Sequence, residues 1–307
     1  VAFSKVLTES NTTHKSVPML MSDITACNFD SIYHQKGIIT AFKEAGYQTA
    51  FFSNQRYNPS FIDFFGKEAD TFDFIKEDSL DSAYNPSDDE LLALVAKELS
   101  KGNQKQFIVL HTYGSHFNYR ERYPSEDAFF LPDYPVEAEV KYRDNLVNAY
   151  DNTIRYTDSF LSRLIHMLEE QHVDAAMLYT SDHGEDIFDD SRHLFLHASP
   201  VPSYYQLHVP FLIWMSDTYR EAYPEHWQTV TGNKDKDVSS SCSFFPTMLE
   251  LGGVQTSYRN DSSSVVSPLY TMKPRVYLND HNEPRPLDDL GMKQPDFQKC
   301  QVLGIKY

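Results

Sequence analysis

Apolar, β-branched and aromatic residues run almost unbroken through Thr49–Ser53 (TAFFS), Gln106–His111 (QFIVLH), Ala175–Thr180 (AAMLYT) and Val209–Met215 (VPFLIWM), with a shorter run at Arg275–Asn279 (RVYLN). A strand with one wet face alternates polar and apolar residues, whereas a strand covered on both faces need not. The runs therefore predict strands of a mostly parallel sheet with helices on both sides. The intervening segments agree. Gly37–Ala45 (GIITAFKEA) reads as a helix stopped by Gly46, and Asp88–Ser100 as a helix introduced by Asn85-Pro86-Ser87. Glu139–Gln171 carries Leu146, Ala149, Ile154, Leu161, Ile165 and Leu168 at a spacing close to about 3.6 residues. Strands alternating with helices give an α/β fold, a three-layer α/β/α sandwich. No repeat, low-complexity tract or linker divides residues 1–307, which read as one domain.

Charge narrows the partners. Lys plus Arg number 27 against 44 Asp plus Glu, a net charge of −17 that repels a polyphosphate backbone, so nucleic-acid binding is excluded as a function class. A phosphorylated substrate stays compatible, because a metal ion can invert the local field. No apolar run approaches the roughly 20 residues that span a bilayer. The opening VAFSKVLTES has neither the basic start nor the cleavage pattern of a signal peptide. It begins inside what reads as a strand, so the chain is expected to be part of a longer protein that could carry an anchor upstream. Cys27, Cys242 and Cys300 are odd in number and lack C-x-x-C spacing, which predicts buried or half-buried free thiols rather than a zinc knuckle or a disulfide framework.

In sheets of this kind ligands bind beyond the carboxyl ends of the strands, and the residues found there are polar and metal-capable. After AMLYT comes Ser181-Asp182-His183-Gly184-Glu185-Asp186, after FIVLH comes Thr112-Tyr113-Gly114-Ser115-His116, and after TAFFS comes Asn54-Gln55-Arg56-Tyr57. Adjacent Asp182 and His183 can offer one oxygen and one imidazole nitrogen to a borderline metal such as zinc, and Gly184 permits a sharp turn behind them. His193 and His197 follow as H-x-x-x-H, with Glu185 and Asp186 alongside, which points to a metal or phosphate site. His111, still within its strand, reads as structural; His116, past a glycine, can reach a ligand. Near the start, Glu9–Pro18 places a run of hydroxyls before a helix expected to begin near Pro18 with Ser16 as its cap. Thr13 in that run is a neutral alcohol, a competent nucleophile only where a metal lowers its pKa. The acidic run Ser87-Asp88-Asp89-Glu90 reads as a helix N-terminus, and Tyr204-Tyr205 as packing.

Together these motifs carry a resemblance. T-x-x-S-V-P at Thr13–Pro18, G-S-H at Gly114–His116, LVNAYDNTI-x-x-TD in the long helix, and LYTSDHGE followed by L-H at Leu196-His197 resemble the phosphoethanolamine transferases that modify lipid A. The mobile colistin (polymyxin) resistance enzymes are among them, within the alkaline phosphatase and sulfatase superfamily. The likeness holds over roughly residues 1–215. It implies that Thr13 is the nucleophile that carries phosphoethanolamine covalently, and that Asp182 and His183, with Thr13, are ligands of one Zn2+ or two. It further implies that Glu185 lies in the same shell and that His116 and His197 stand near the transferred phosphate. Asn54 and Gln55 fall where the family binds the ethanolamine head group, and Tyr150-Asp151-Asn152 match a signature whose helical setting suggests packing.

A further Glu ligand is implied upstream of residue 1, since nothing in Val1–Lys5 can supply it. The family's membrane-spanning helices are likewise expected upstream. Cysteines flank the nucleophile segment in many members, where this chain has Glu9 and Met19. The implied enzyme is a zinc-dependent monomer at the periplasmic face of the bacterial inner membrane. It would take phosphoethanolamine from phosphatidylethanolamine to lipid A or another envelope glycan. The alternatives are a phosphoglycerol transferase, phosphodiesterase or sulfatase of the same superfamily, or a non-catalytic domain with an incomplete metal site. A sulfatase is disfavoured because THKSVPML lacks the Arg of C/S-x-P-x-R.

Overall fold

The computed structural model describes residues 1–57, 59–77, 85–102 and 105–307. Strands β1 (Ala2–Phe3) and β2 (Val6–Leu7) lead into helix α1 (Thr13–Leu20). There follow α2 (Ile38–Glu44), β3 (Gln48–Ser53), α3 (Phe61–Gly66), β4 (Thr71–Phe74), α4 (Glu90–Leu99), β5 (Gln106–His111) and the long α5 (Arg143–Glu169). Next come β6 (Ala176–Thr180), β7 (Asp186–Ile187), β8 (Phe195–Leu196), α6 (Tyr204–Leu207) and β9 (Phe211–Met215). The chain continues through α7 (Asp217–Ala222), α8 (Pro224–Asn233), β10 (Val238–Ser239), α9 (Ser240–Leu251) and a hairpin, β11 (Val276–Leu278) with β12 (Pro284–Pro286).

β4, β3 and β5 pair in parallel, with Thr49 opposite Phe107 and Ser53 opposite His111. Alternate residues of β3 feed different layers. Phe51 packs with Met19, Ile38, Phe42, Phe65 and Phe245, so α1, α2, α3 and α9 cover one face. Ala50 and Phe52 pack with Leu91, Val95, Phe160, Leu161 and Leu164 of α4 and α5 on the other. Met177, Tyr179 and Leu212 join that second cluster, which carries the same helical cover across to β6 and β9.

The pairing of β6 with β9 departs from the parallel arrangement expected of neighbouring strands. β6 and β9 run antiparallel, with Ala176 opposite Met215 and Thr180 opposite Phe211, and β1 adds antiparallel to β9. Unbroken apolarity reports burial on both faces and carries no information about direction. Parallel neighbours need a crossover, usually helical, that returns the chain to the opposite end of the sheet. The segment between β6 and β9 holds only the β7–β8 hairpin and four-residue α6, so it returns at the end where β6 left off.

Helix boundaries fall within a few residues of expectation, except at α1. That helix begins at Thr13 behind Thr12, with Pro18 in its interior. Ser16 does not cap it; its hydroxyl donates to the carbonyls of Ser10 and Thr12 at 3.1 and 2.9 Å. An interior proline costs about 3 kcal/mol, and here burial of Ser16, Pro18, Met19 and Leu20 outweighs it. In α5 the inward stripe is Leu146, Ala149, Asn152, Thr153, Tyr156, Phe160, Leu161 and Leu164, and Ile154 lies outside it, exposed. Cys27 is exposed rather than half-buried; all three cysteines are free thiols.

Phe42 stacks on Phe107 with centroids 3.8 Å apart and joins α2 to β5 at the centre of one layer. Phe42→Ala is expected to lower unfolding stability by about 3–5 kcal/mol, read as a lower urea midpoint at unchanged m-value.

Candidate active site

Thr13 opens α1, so its side chain stands at a helix N-terminus, where unpaired backbone N–H groups and the helix dipole favour an anion. Its Oγ1 lies 3.1 Å from His183 Nε2. The imidazole is fixed from behind: Nδ1 is 3.0 Å from the carbonyl of Gly184, which assigns the ring proton to Nδ1 and turns the Nε2 lone pair toward Thr13. Asp182 Oδ2 lies 3.5 Å from the same Nε2 and is buried without a hydrogen-bond partner. A lone pair and a carboxylate oxygen facing one another in a dry site repel unless a cation stands between them. One hydroxyl, one imidazole and one carboxylate therefore converge as a donor set suited to zinc. Among the described residues no group of three His, Cys, Asp or Glu forms a metal site.

Gly184 holds this turn for a reason different from the expected one. A Cβ there would meet the backbone oxygen of Tyr205 at 2.1 Å, while its N–H bonds the carbonyl of Gln206 at 2.9 Å. The position demands close backbone approach to α6.

His197 comes over the same centre, its ring centroid 4.1 Å from that of His183. Glu185, expected in the metal shell, instead has both oxygens engaged away from it. Oε1 is 3.0 Å from His197 Nδ1, and Oε2 accepts the hydroxyl of Tyr119. That pairing orients His197 and leaves Nε2 as its free ring atom. Leu196 and Ala198 on either side adopt left-handed backbone, φ 64° and 61°. This strain persists because Gln206 Nε2 bonds the carbonyl of Leu196 (3.1 Å) and the N–H of Ala198 bonds that of Asn11 (3.1 Å). His116 is exposed at the rim, 6.0 Å from His197 between centroids. His193 is exposed on the outer side of its loop, apart from the cluster.

Asn54 and Gln55 are not joined to this centre by any hydrogen bond among the described residues. The Asn54 amide donates to Asp88 Oδ1 (2.8 Å) and to the carbonyl of Pro86 (3.0 Å), and Gln55 turns to His111 and the carbonyl of Thr112. Asp88 is itself more than a helix-end charge: buried, it also accepts the N–H groups of Tyr113 and Gly114 at 2.8 and 2.9 Å, which shapes the loop that carries His116. His111 bonds Ser53 within the sheet, the structural role expected of it. Tyr204 and Tyr205 pack as expected.

Sequence reasoning missed Asn11, Tyr119 and Gln206. Asn11 Nδ2 donates to Gln206 Oε1 at 2.6 Å, and the Gln206 amide reaches Asp186 Oδ2 at 2.6 Å. Ser203 also donates to Asp186 at 2.9 Å. No local signal marks such residues, since each matters through a partner distant in sequence.

Gly184→Ala is expected to cost at least about 1–3 kcal/mol from the clash with backbone. The measurement is a thermal melt beside wild type, with Gly232→Ala, where an added Cβ meets nothing within 4 Å, as the control.

A family model described as Sulfatase matches residues 1–254. Phosphoethanolamine transferase EptA of Salmonella typhimurium is 29% identical over 262 residues, 82% of this chain and 47% of the relative. The Kdo(2)-lipid A phosphoethanolamine 7''-transferase of Escherichia coli is 36% identical over 138 residues, 43% of this chain and 24% of the relative. Among solved structures, the C-terminal periplasmic domain of Escherichia coli EptC in complex with Zn shares the fold at TM-score 0.84 and 22% identity, covering 94% of this chain and 82% of that one. The corresponding EptC domain of Campylobacter jejuni matches at TM-score 0.78 and 26% identity, over 89% and 84%. The chain spans about half, or less, of the length of these curated relatives.

Proposed function

The chain belongs to the sulfatase family, and within it we propose a metal-dependent phosphoethanolamine transferase. It would take the head group from phosphatidylethanolamine, hold it on Thr13, and pass it to lipid A or another envelope glycan at the periplasmic face of the inner membrane. The observation that carries the reading is the convergence of Thr13 Oγ1, His183 Nε2 and the unpartnered Asp182 Oδ2 at a helix N-terminus. The names of the relatives supply the head group.

Zinc held by Asp182, His183 and Thr13 would supply Lewis acidity that makes the Thr13 hydroxyl acidic enough to ionise at neutral pH. The chain's own residues do the rest. Thr13 Oγ forms a bond to phosphorus as the bond from phosphorus to the diacylglycerol oxygen breaks, and the proton given up by the Thr13 hydroxyl is taken up, by way of solvent, by that leaving oxygen. The N–H groups of Thr13 and His14 at the start of α1 would face the phosphoryl oxygens, those of Lys15 and Ser16 being taken by the carbonyl of Thr12. His197, oriented by Glu185, and His116 at the rim offset the charge that builds on those oxygens, since phosphoryl transfer depends chiefly on positioning and electrostatics. An acceptor oxygen then attacks the same phosphorus, and Thr13 departs with its hydroxyl restored.

Incubation with phosphatidylethanolamine labelled in its head group is expected to label Thr13, and Thr13→Ala to bring both label and transfer to background with the fold intact. Labelling from phosphatidylglycerol instead would move the chain to phosphoglycerol transfer, and wild-type transfer by Thr13→Ala would overturn the assignment. Glu185→Gln, which loosens His197 without touching Thr13, is expected to reduce transfer about 10–100-fold, read as a fall in kcat with circular dichroism unchanged.

A further inference from the structure

Between the His116 loop and α5, the segment Ala128–Tyr134 (AFFLPDY) sends large apolar side chains into solvent. Phe129 is 62% exposed, Phe130 36%, Leu131 67% and Tyr134 57%. No other seven-residue stretch of the described residues exposes four such side chains. Isolated apolar residues on a surface are ordinary, but a contiguous group of this size marks a contact.

The segment is held firmly from within. Asn152 of α5 accepts the N–H groups of Phe129 and Phe130, both at 2.9 Å, and donates to the carbonyl of Phe130 at 3.0 Å. Asn148 donates to the carbonyl of Pro132 at 3.0 Å, and Pro132 has no N–H to satisfy. Behind the tip, Asp133 accepts the hydroxyl of Tyr123 at 2.7 Å and pairs with Arg120 at 3.3 Å. In water, an exposed loop needs no such internal partners. In lipid, each unpaired backbone group costs several kcal/mol, so a loop built to enter lipid must bring its partners with it.

We propose that Phe129, Phe130, Leu131 and Tyr134 form a docking surface for the interfacial region of a zwitterionic phospholipid bilayer. The proposal rests on the reading that a membrane phospholipid is the donor, and it names how the site meets that donor. The surface adjoins the site. Thr153, next to Asn152, donates to Ser115 beside His116 at 2.7 Å, and Tyr119, at the start of the same loop, bonds Glu185. The side chains suit an interface, with Phe and Leu at the tip, Tyr beside them, and the Arg155 guanidinium 4.1 Å from the centroid of the Phe129 ring, within reach of a lipid phosphate. Charge selects the bilayer. The chain carries −17, and the exposed Glu126, Asp127, Glu137 and Glu139 flank the loop, so an anionic surface is disfavoured and apolar insertion supplies the attraction. One loop of this size gives weak, reversible attachment, suited to an enzyme that must move between lipid molecules.

The test uses the full chain with vesicles of phosphatidylethanolamine and phosphatidylcholine. Wild type is expected to sediment with them, and Phe129→Ser combined with Leu131→Ser to lower the bound fraction at least ten-fold at unchanged melting temperature. In Leu131→Trp, emission is expected to shift to the blue and to be quenched by brominated acyl chains beyond the wild-type signal. This second readout stands even where the double variant folds poorly. Adding phosphatidylglycerol should not strengthen binding. Thr13→Ala should bind vesicles as wild type does, so failure of the transfer reading and failure of this one are told apart. No sedimentation of wild type, no quenching of Leu131→Trp, or a concentration-dependent dimer that the double variant abolishes would each overturn the proposal, the last by assigning the surface to a second copy of the chain.

Discussion

Thr13 and His183 stand 170 residues apart in sequence, and a 3.1 Å approach between them holds only if both backbones are fixed against each other. The fixing interaction is the buried amide pair Asn11–Gln206, 2.6 Å across. Asn11 lies two residues before Thr13; its Oδ1 accepts the hydroxyl of Tyr277 at 2.6 Å, and its carbonyl takes the N–H of Ala198, next to His197. Gln206 lies in α6, and its carbonyl receives the N–H of Gly184. Thr8 adds a bond to the carbonyl of Asp182 at 2.8 Å. The nucleophile segment, the Asp182–His183 turn and the His197 loop thus share one polar knot. Each buried polar group left unpaired costs about 1–3 kcal/mol. A half-formed knot is therefore worse than none, which pushes the three segments toward a single arrangement.

A second tie acts on the same segment from the other side. Glu9, four residues before Thr13, is buried and accepts the N–H of Ala26 (2.7 Å), the hydroxyl of Ser239 (2.9 Å) and the thiol of Cys242 (2.8 Å). It joins the approach to α1 to the start of α9 without a covalent bond. Burial raises the carboxyl above its ordinary range, and the three donors, with Arg275 nearby, act against that shift. The Cys242 thiol is pushed up by burial and by the same carboxylate, so it stays a donor rather than a thiolate. Unlike a disulfide, this clamp forms with its cysteine reduced.

How much of this could be read from residues alone follows from the range of each signal. Local signals were legible. Continuous apolarity located β3, β5, β6 and β9, and the clustering of histidines and carboxylates beyond their ends located Asp182, His183, His197 and His116. Strand direction was not legible, because apolarity is blind to it and the short β6–β9 connection had to be seen to be weighed. The start of α1 was misjudged from Pro18, a local rule that tertiary burial overrode. Glu185 was placed by proximity in sequence to Asp182, but one residue of offset beyond a tight turn sends its carboxylate to His197 and Tyr119 instead. Asp88 read as a helix-end charge because its real partners, Asn54 and the Tyr113–Gly114 backbone, lie more than twenty residues away on either side.

Charge at the site carries the argument further. Phosphoethanolamine held on Thr13 would be a phosphodiester, with a single negative charge shared by its free phosphoryl oxygens, beside Asp182 and Glu185 in a chain already at −17. Among the described residues no Lys or Arg bonds or pairs with Thr13, Asp182, His183, Glu185 or His197. What faces that charge is the N-terminal dipole of α1 and the rings of His197 and His116. His183 contributes only a lone pair, because its proton is committed to the carbonyl of Gly184. A helix terminus is worth about half an elementary charge, too little to offset the phosphoryl charge together with the unpartnered Asp182 oxygen. The same geometry that brings Thr13 into place therefore leaves a deficit of positive charge, which a cation held by Thr13, His183 and Asp182 would offset. That deficit, rather than any motif, is the physical ground for proposing a metal here.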